Sequence, residues 1–233
     1  MTVELSNGLS NERAQLLETW KRVFTETPDP RHAPFLQLVR LASGDGSTKA
    51  IGDDLRKFHD RFGWMAKETS PGGKCAGALY RTKAFIQIPA DKRVGKRAGQ
   101  TVHIEHTVPV NVLAKRWIEL RQSGRAQDLM PTFGWVMHHT VATAFEINEQ
   151  KTLKGVSRST DCFAAGTAGF DRPFKRYAGL YAQGGQVWDV YRGALVDPDQ
   201  FSLDDHFGNV VALVEEAGAS ADFVSALKAF KPQ

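Results

Sequence analysis

The stretch Thr101–Val110, TVHIEHTVPV, limits the fold of this chain more than any other. Val102, Ile104 and Val108 are β-branched residues interleaved with polar ones, the alternation of a half-buried strand. Pro109 cannot donate to a sheet ladder, so the strand ends there or runs along an edge. His106 is therefore expected at a strand terminus. An imidazole with an unperturbed pKa of roughly 6.5 accepts a proton near neutrality, which suits a general base. The neighbouring Glu105 is the kind of side chain that holds a hard cation. The same spacing also fits His103, Glu105 and His106 as ordinary polar strand residues. An inverted zincin site fits less well, because H-x-x-E-H needs a helix and one residue more than His103–His106 supplies.

Around this strand the texture is largely helical. Leu16, Leu17, Trp20, Val23 and Phe24 form one apolar stripe and predict a packing helix over residues 11–26. A short helix is expected from Pro34 to Ala42. A longer one starts at Thr48, with Ile51, Leu55, Phe58, Phe62 and Met65 at alternating steps of four and three, and stops near Thr69 before Ser70-Pro71-Gly72-Gly73. His59 lies beside that stripe and reads as a surface or partly packed histidine. Ala84–Ile88 predicts a strand. Asn111 is a candidate N-cap for a helix carrying Leu113, Trp117 and Leu120, ended by Gly124. A segment punctuated by proline and glycine follows, then a second strand over Thr140–Ile147. His138 and His139, adjacent at its start, would point to opposite faces, one packed and one exposed. Asn148 opens a short helix, residues 157–180 are loop-rich, residues 187–196 form a late hairpin, and residues 207–230 form two helices broken at Gly218-Ala219-Ser220.

These patterns predict an α+β fold, a small antiparallel sheet flanked by helical ends. The expected division is a helical region over residues 1–73, an α+β core over 74–206 and a helical cap over 207–233. The 233 residues are 42% hydrophobic and 24% charged, enough to bury a core and too apolar for wholesale disorder. No run approaches the ~18 apolar residues of a membrane span, and the N-terminus lacks the features of a signal peptide, so a cytoplasmic protein with no membrane partner is expected. Cys75 and Cys162 cannot build a four-thiolate zinc site and belong to no C-x-x-C pair.

A net charge of +4 permits nucleic acid as a partner without requiring it. Lys92, Arg93, Lys96 and Arg97, spaced around two glycines just before the Glu105-His106 strand, either follow a phosphate backbone or form a solvated hairpin tip. Arg172-Pro173-Phe174-Lys175-Arg176-Tyr177 interleaves cations with aromatic rings. The run either grips backbone while stacking on a base, or packs Phe174 and Tyr177 into the core with the cations at their flanks.

The order of these signals, a strand closing on Glu105-His106 with a proline three residues on, a second strand, then Asn148 opening a helix, resembles the HNH (His-Me finger, ββα-metal) endonucleases. The resemblance covers residues 101–153. It implies a ββα-metal core and metal-dependent hydrolysis of DNA phosphodiester bonds, with His106 as general base, Glu105 as a metal ligand and Asn148 as a second ligand or an orienting residue. Mg²⁺ or Mn²⁺ is the implied cofactor. DNA is the implied partner, with RNA as an alternative and a homodimer as the candidate assembly. Asp161, Asp171 or His206 would complete the metal site. Two other classes compete: a nucleic-acid-binding protein without catalysis, in which His106 is structural, and a hydrolase acting on another substrate.

Overall fold

The structure is a computed structural model that describes residues 3–25, 35–44, 46–61, 72–123, 128–153 and 161–231. Helical periodicity at the start of the chain becomes α1 (Val3–Thr25), α2 (Phe35–Ser43) and α3 (Thr48–Arg61). Helix α1 begins earlier than expected, since its buried stripe runs Leu9, Glu12, Leu16, Trp20. The charged member of that stripe, Glu12, is held by Arg81 and Arg93. The Trp20 indole donates to the Gly77 carbonyl at 2.9 Å. In α3 the expected Ile51, Leu55 and Phe58 are buried, and His59 is fully buried beside them rather than at the surface. Phe62, Met65 and the expected end near Thr69 lie outside the described residues.

The sheet contains β1 (Tyr80–Thr82), β2 (Val102–His106), β3 (Ala142–Glu146), β4 (Val187–Asp189) and β5 (Ala194–Leu195), in the order β2-β3-β1-β4-β5. Neighbours run antiparallel except β1 and β3, which are parallel, so the fold is α+β with a mixed sheet rather than a purely antiparallel one. The strand expected over Ala84–Ile88 is not formed. Thr82 ends β1, and its hydroxyl accepts from the Phe85 amide at 3.2 Å, capping the one-turn helix α4 (Lys83–Ile86) that buries Phe85 and Ile86. A local cap thus overrides the β-propensity of Phe85, Ile86 and Ile88.

Helix α5 (Val110–Gln122) starts four residues after the end of β2, with Pro109 rather than Asn111 at its N-cap. The segment punctuated by Pro131 and Gly134 is α6 (Leu129–His139). Pro131 sits in the first turn, where a missing N–H leaves no bond unmade. Gly134 is required by packing, because a Cβ there would lie 2.5 Å from the Phe230 ring. His138 and His139 occupy the last turn of this helix and are both buried, which corrects the expectation of one packed and one exposed residue. Helix α7 (Ile147–Thr152) follows β3 without a break, capped by the Glu146 carboxylate rather than by Asn148. The chain continues through α8 (Ala178–Ala182) to α9 (Leu203–Glu216), which opens on a Ser202–Asp205 capping box, and α10 (Ala221–Ala229). Gly218, at φ +89°, makes the expected break between the last two.

One cluster of buried side chains runs from Leu9 in α1 to Leu227 in α10 and crosses both expected domain boundaries. No described helix is long and apolar enough to cross a membrane.

Candidate functional site

Strand β2 lies at one edge of the sheet and pairs with β3 in the register Ile104 to Ala144 and His106 to Ala142. Alternation puts Val102, Ile104 and His106 on one face and His103 and Glu105 on the other. The end of the strand is pinned from several directions. The Thr107 amide continues the ladder to the Val141 carbonyl at 2.9 Å, and the Thr107 and Thr143 hydroxyls are 2.7 Å apart. Arg176 donates to the His106 carbonyl and, at 3.2 Å, to the Thr107 carbonyl. His106 is thereby held at the strand terminus the alternation predicts.

On the outer face, Glu105 is already occupied. Its carboxylate receives Arg176 at 2.8 Å, lies 3.5 Å from His103 Nε2 and accepts from Gln150 in α7 at 3.3 Å. Burial pushes the Glu105 pKa up, but the His103 contact, the Arg176 charge and the Gln150 amide outweigh it and hold the carboxyl below its ordinary value. A carboxylate neutralised by a buried guanidinium has little remaining attraction for a cation. Asn148 does not reach Glu105. It is exposed, its amide donates to Glu146 Oε1 at 3.0 Å, and its oxygen accepts from Lys151 at 3.4 Å. The α7 side chain that donates to Glu105 is Gln150, which the sequence did not single out.

On the inner face, His106 meets α3. The rings of His59 and His106 lie 4.1 Å apart between centroids at an interplanar angle of 38°. Asp60 adds a carboxylate with Oδ1 3.4 Å from His59 Nδ1. One donor atom from each of His59, Asp60 and His106 lies within 4.8 Å of the other two. His106 Nε2 is buried and has no hydrogen-bond partner among the described residues. Burial lowers the His59 pKa to about 3. The His106 pKa is also driven well down, by burial first and then by His59, against opposing pulls from Asp60 and Glu105. Both rings are neutral near pH 7 and take up a proton only reluctantly.

The residues named to complete a metal site do not join this group. His206 is buried elsewhere, 2.9 Å from the Tyr80 hydroxyl and 3.1 Å from the Met137 and Thr140 carbonyls. Asp171 is exposed and is not one of the three converging residues. The Asp161 side chain lies outside the described residues.

Two arginines expected at a phosphate backbone are turned inward. Arg93 is 2% exposed and grips Glu12 through both terminal nitrogens, at 2.8 and 2.7 Å. Arg176 is buried on Glu105. Lys92, Lys96 and Arg97 are exposed. In the 172–177 run, Phe174 and Tyr177 are fully buried, Lys175 is paired with Asp199, and Arg172 donates to the Gln200 carbonyl. Its rings therefore pack in the core and offer no stacking platform.

Sequence reasoning missed His59 and Asp60 as donors. The one local signal was two potential ligands in tandem at the edge of the α3 stripe. Compared with family models, with curated proteins and with solved structures, the chain matches none.

Proposed function

We propose that this protein is a metal-dependent endonuclease that hydrolyses phosphodiester bonds in DNA, with His106 as the residue that activates the attacking water. The observation that carries this reading is His106 itself. It closes the first strand of a β2–β3–α7 unit, and its buried Nε2 has no hydrogen-bond partner among the described residues. Phosphodiester hydrolysis needs a deprotonated water aimed at phosphorus and positive charge beside the oxygens on which negative charge grows. Water adds to phosphorus, the bond to the leaving oxygen breaks, and that oxygen takes up a proton. An imidazole on a rigid strand end fixes where the water is aimed, and a divalent cation would supply the positive charge and lower the pKa of the water, which the depressed pKa of His106 makes necessary. The exposed Lys92, Lys96 and Arg97, which precede β2 in the chain, supply cations for the DNA backbone.

The test is incubation of the purified protein with supercoiled plasmid and Mg²⁺, Mn²⁺ or Zn²⁺, with chelator as control. Nicked or linear DNA should appear only with an ion, and His106→Ala should cut at least ~10²-fold more slowly while retaining its circular dichroism spectrum. Gel shifts without cleavage by any of the three ions would leave the non-catalytic DNA-binding reading in its place.

A further inference from the structure

We propose that His59, Asp60 and His106 form a binding site for a divalent transition-metal ion, with Zn²⁺ or Mn²⁺ favoured over Mg²⁺. The site draws on two elements brought together only by the fold: the last turn of α3 supplies a histidine and a carboxylate, and the end of β2 supplies the second histidine. Its use in catalysis rests on the endonuclease reading, whereas ion binding does not.

Geometry fits first. Ligands about 2.0–2.1 Å from a tetrahedral ion lie about 3.3 Å from one another. His59 Nδ1 and Asp60 Oδ1 are already 3.4 Å apart. The whole set lies within 4.8 Å, so the widest separation closes by at most about 1.5 Å, within reach of a side-chain rotation. Donor chemistry then selects the ion. Two imidazoles and one carboxylate suit Zn²⁺, Mn²⁺ and related ions, while Mg²⁺ prefers an all-oxygen shell and retains its waters.

Burial gives the third reason. A polar atom shut away from water costs stability unless it finds a partner, and His106 Nε2 has no hydrogen-bond partner among the described residues. An ion bound there would use that lone pair. Access remains, because the Asp60 side chain is 33% exposed. Three protein ligands leave a fourth position for water, the pattern of catalytic rather than structural zinc sites. Within the endonuclease reading, His106 would then hold the ion rather than take the proton itself, and the ion would lower the pKa of the water bound to it. Glu105, on the opposite face and paired with Arg176, stands outside the site.

The test titrates chelator-treated protein with Co²⁺, read by visible absorption, and with Zn²⁺, read by calorimetry. One ion per chain is expected, and millimolar Mg²⁺ should not displace it. Asp60→Asn and His106→Gln should each weaken Zn²⁺ binding tenfold or more, because a lost ligand costs at least the ~10-fold typical of a lost supporting residue. Glu105→Gln should retain the ion. His59→Gln should behave like the other ligand variants, and Asp60→Asn, at a partly exposed position, keeps the test decisive if the buried substitution does not fold. No stoichiometric binding, or unchanged affinity in both Asp60→Asn and His106→Gln, would overturn the site. Tight Zn²⁺ binding without DNA cleavage would uphold the ion site and reject the nuclease. Cleavage with Mg²⁺ and no Co²⁺ or Zn²⁺ binding would do the reverse.

Discussion

Two polar clusters, one buried and one partly exposed, stand in opposite states. In the first, Glu12 of α1 lies between Arg81 and Arg93 and each group is used. Arg81 donates to Glu12 and to the Ala78 and Ala76 carbonyls at 3.2 and 2.6 Å, and Arg93 donates to both Glu12 oxygens and to the Ile88 carbonyl. In the second, the tilted rings of His59 and His106 lie beside Asp60, carry no charge near pH 7, and leave Nε2 of His106 without a hydrogen-bond partner among the described residues. A buried ionic group whose bonds are all made holds elements together. The second cluster, with a lone pair unmatched and other donors converging on it, is where we propose an ion binds.

The largest expected effect comes from breaking the saturated cluster. Glu12→Ala strands two buried guanidinium groups, whose pKa values burial already lowers, Arg93 to about 10. Removing one partner of a buried ion pair costs about 3–5 kcal/mol, so urea denaturation should show a loss of that size. Zn²⁺ affinity at 25 °C should be unchanged in the fraction that remains folded. A loss under about 1 kcal/mol would mean that the cluster is not the pin described here.

A smaller effect concerns His206, a buried histidine outside the proposed ion site. His206 is surrounded by Tyr80, Met137 and Thr140, and burial, with a smaller contribution from His138, lowers its pKa to about 3. The unfolded chain, with a histidine pKa near 6.5, binds more protons than the folded one between about pH 6.5 and 3. Stability is therefore full above pH ~6.5 and is lost as pH falls through that window, by about 1.4 kcal/mol per pH unit for this residue. Denaturation at pH 7.5, 6.5 and 5.5 checks the slope. Zn²⁺ should not rescue the part due to His206. A stability independent of pH over this range would contradict the buried neutral state.

The smallest effect lies at the surface. Replacing Lys92, Lys96 and Arg97 with alanine should leave stability nearly unchanged and reduce the log–log salt slope of DNA binding by up to ~2.7. Arg93, in the same run, should contribute stability and no slope. An unaltered slope in the triple variant would remove the loop from the DNA contact.

The contrast also explains what could be read before the fold was known. The β2 strand and the place of His106 at its end followed from Val102, Ile104 and Pro109, because alternation and a missing donor are local facts. The opposite facing of Glu105 and His106 is contained in the same alternation, so the two cannot meet on one ion. His59 was not legible as a donor: its meaning depends on His106, brought alongside only when α3 and β2 pack. Arg93 misled for the same reason, since a cation in a glycine-containing basic run reads as surface until Glu12, 81 residues earlier, arrives as its partner. The strand expected over Ala84–Ile88 failed locally, when the Thr82 hydroxyl capped a helical turn.

We propose that the inner face of β2, not the outer, binds the ion. Anomalous diffraction at the zinc edge, from crystals grown or soaked with Zn²⁺, tests it most directly. One peak is expected about 2.0–2.2 Å from a ring nitrogen of His59, a ring nitrogen of His106 and an Asp60 oxygen. A peak beside Glu105 with Arg176 displaced, or no peak at the three residues at full soak, would contradict it.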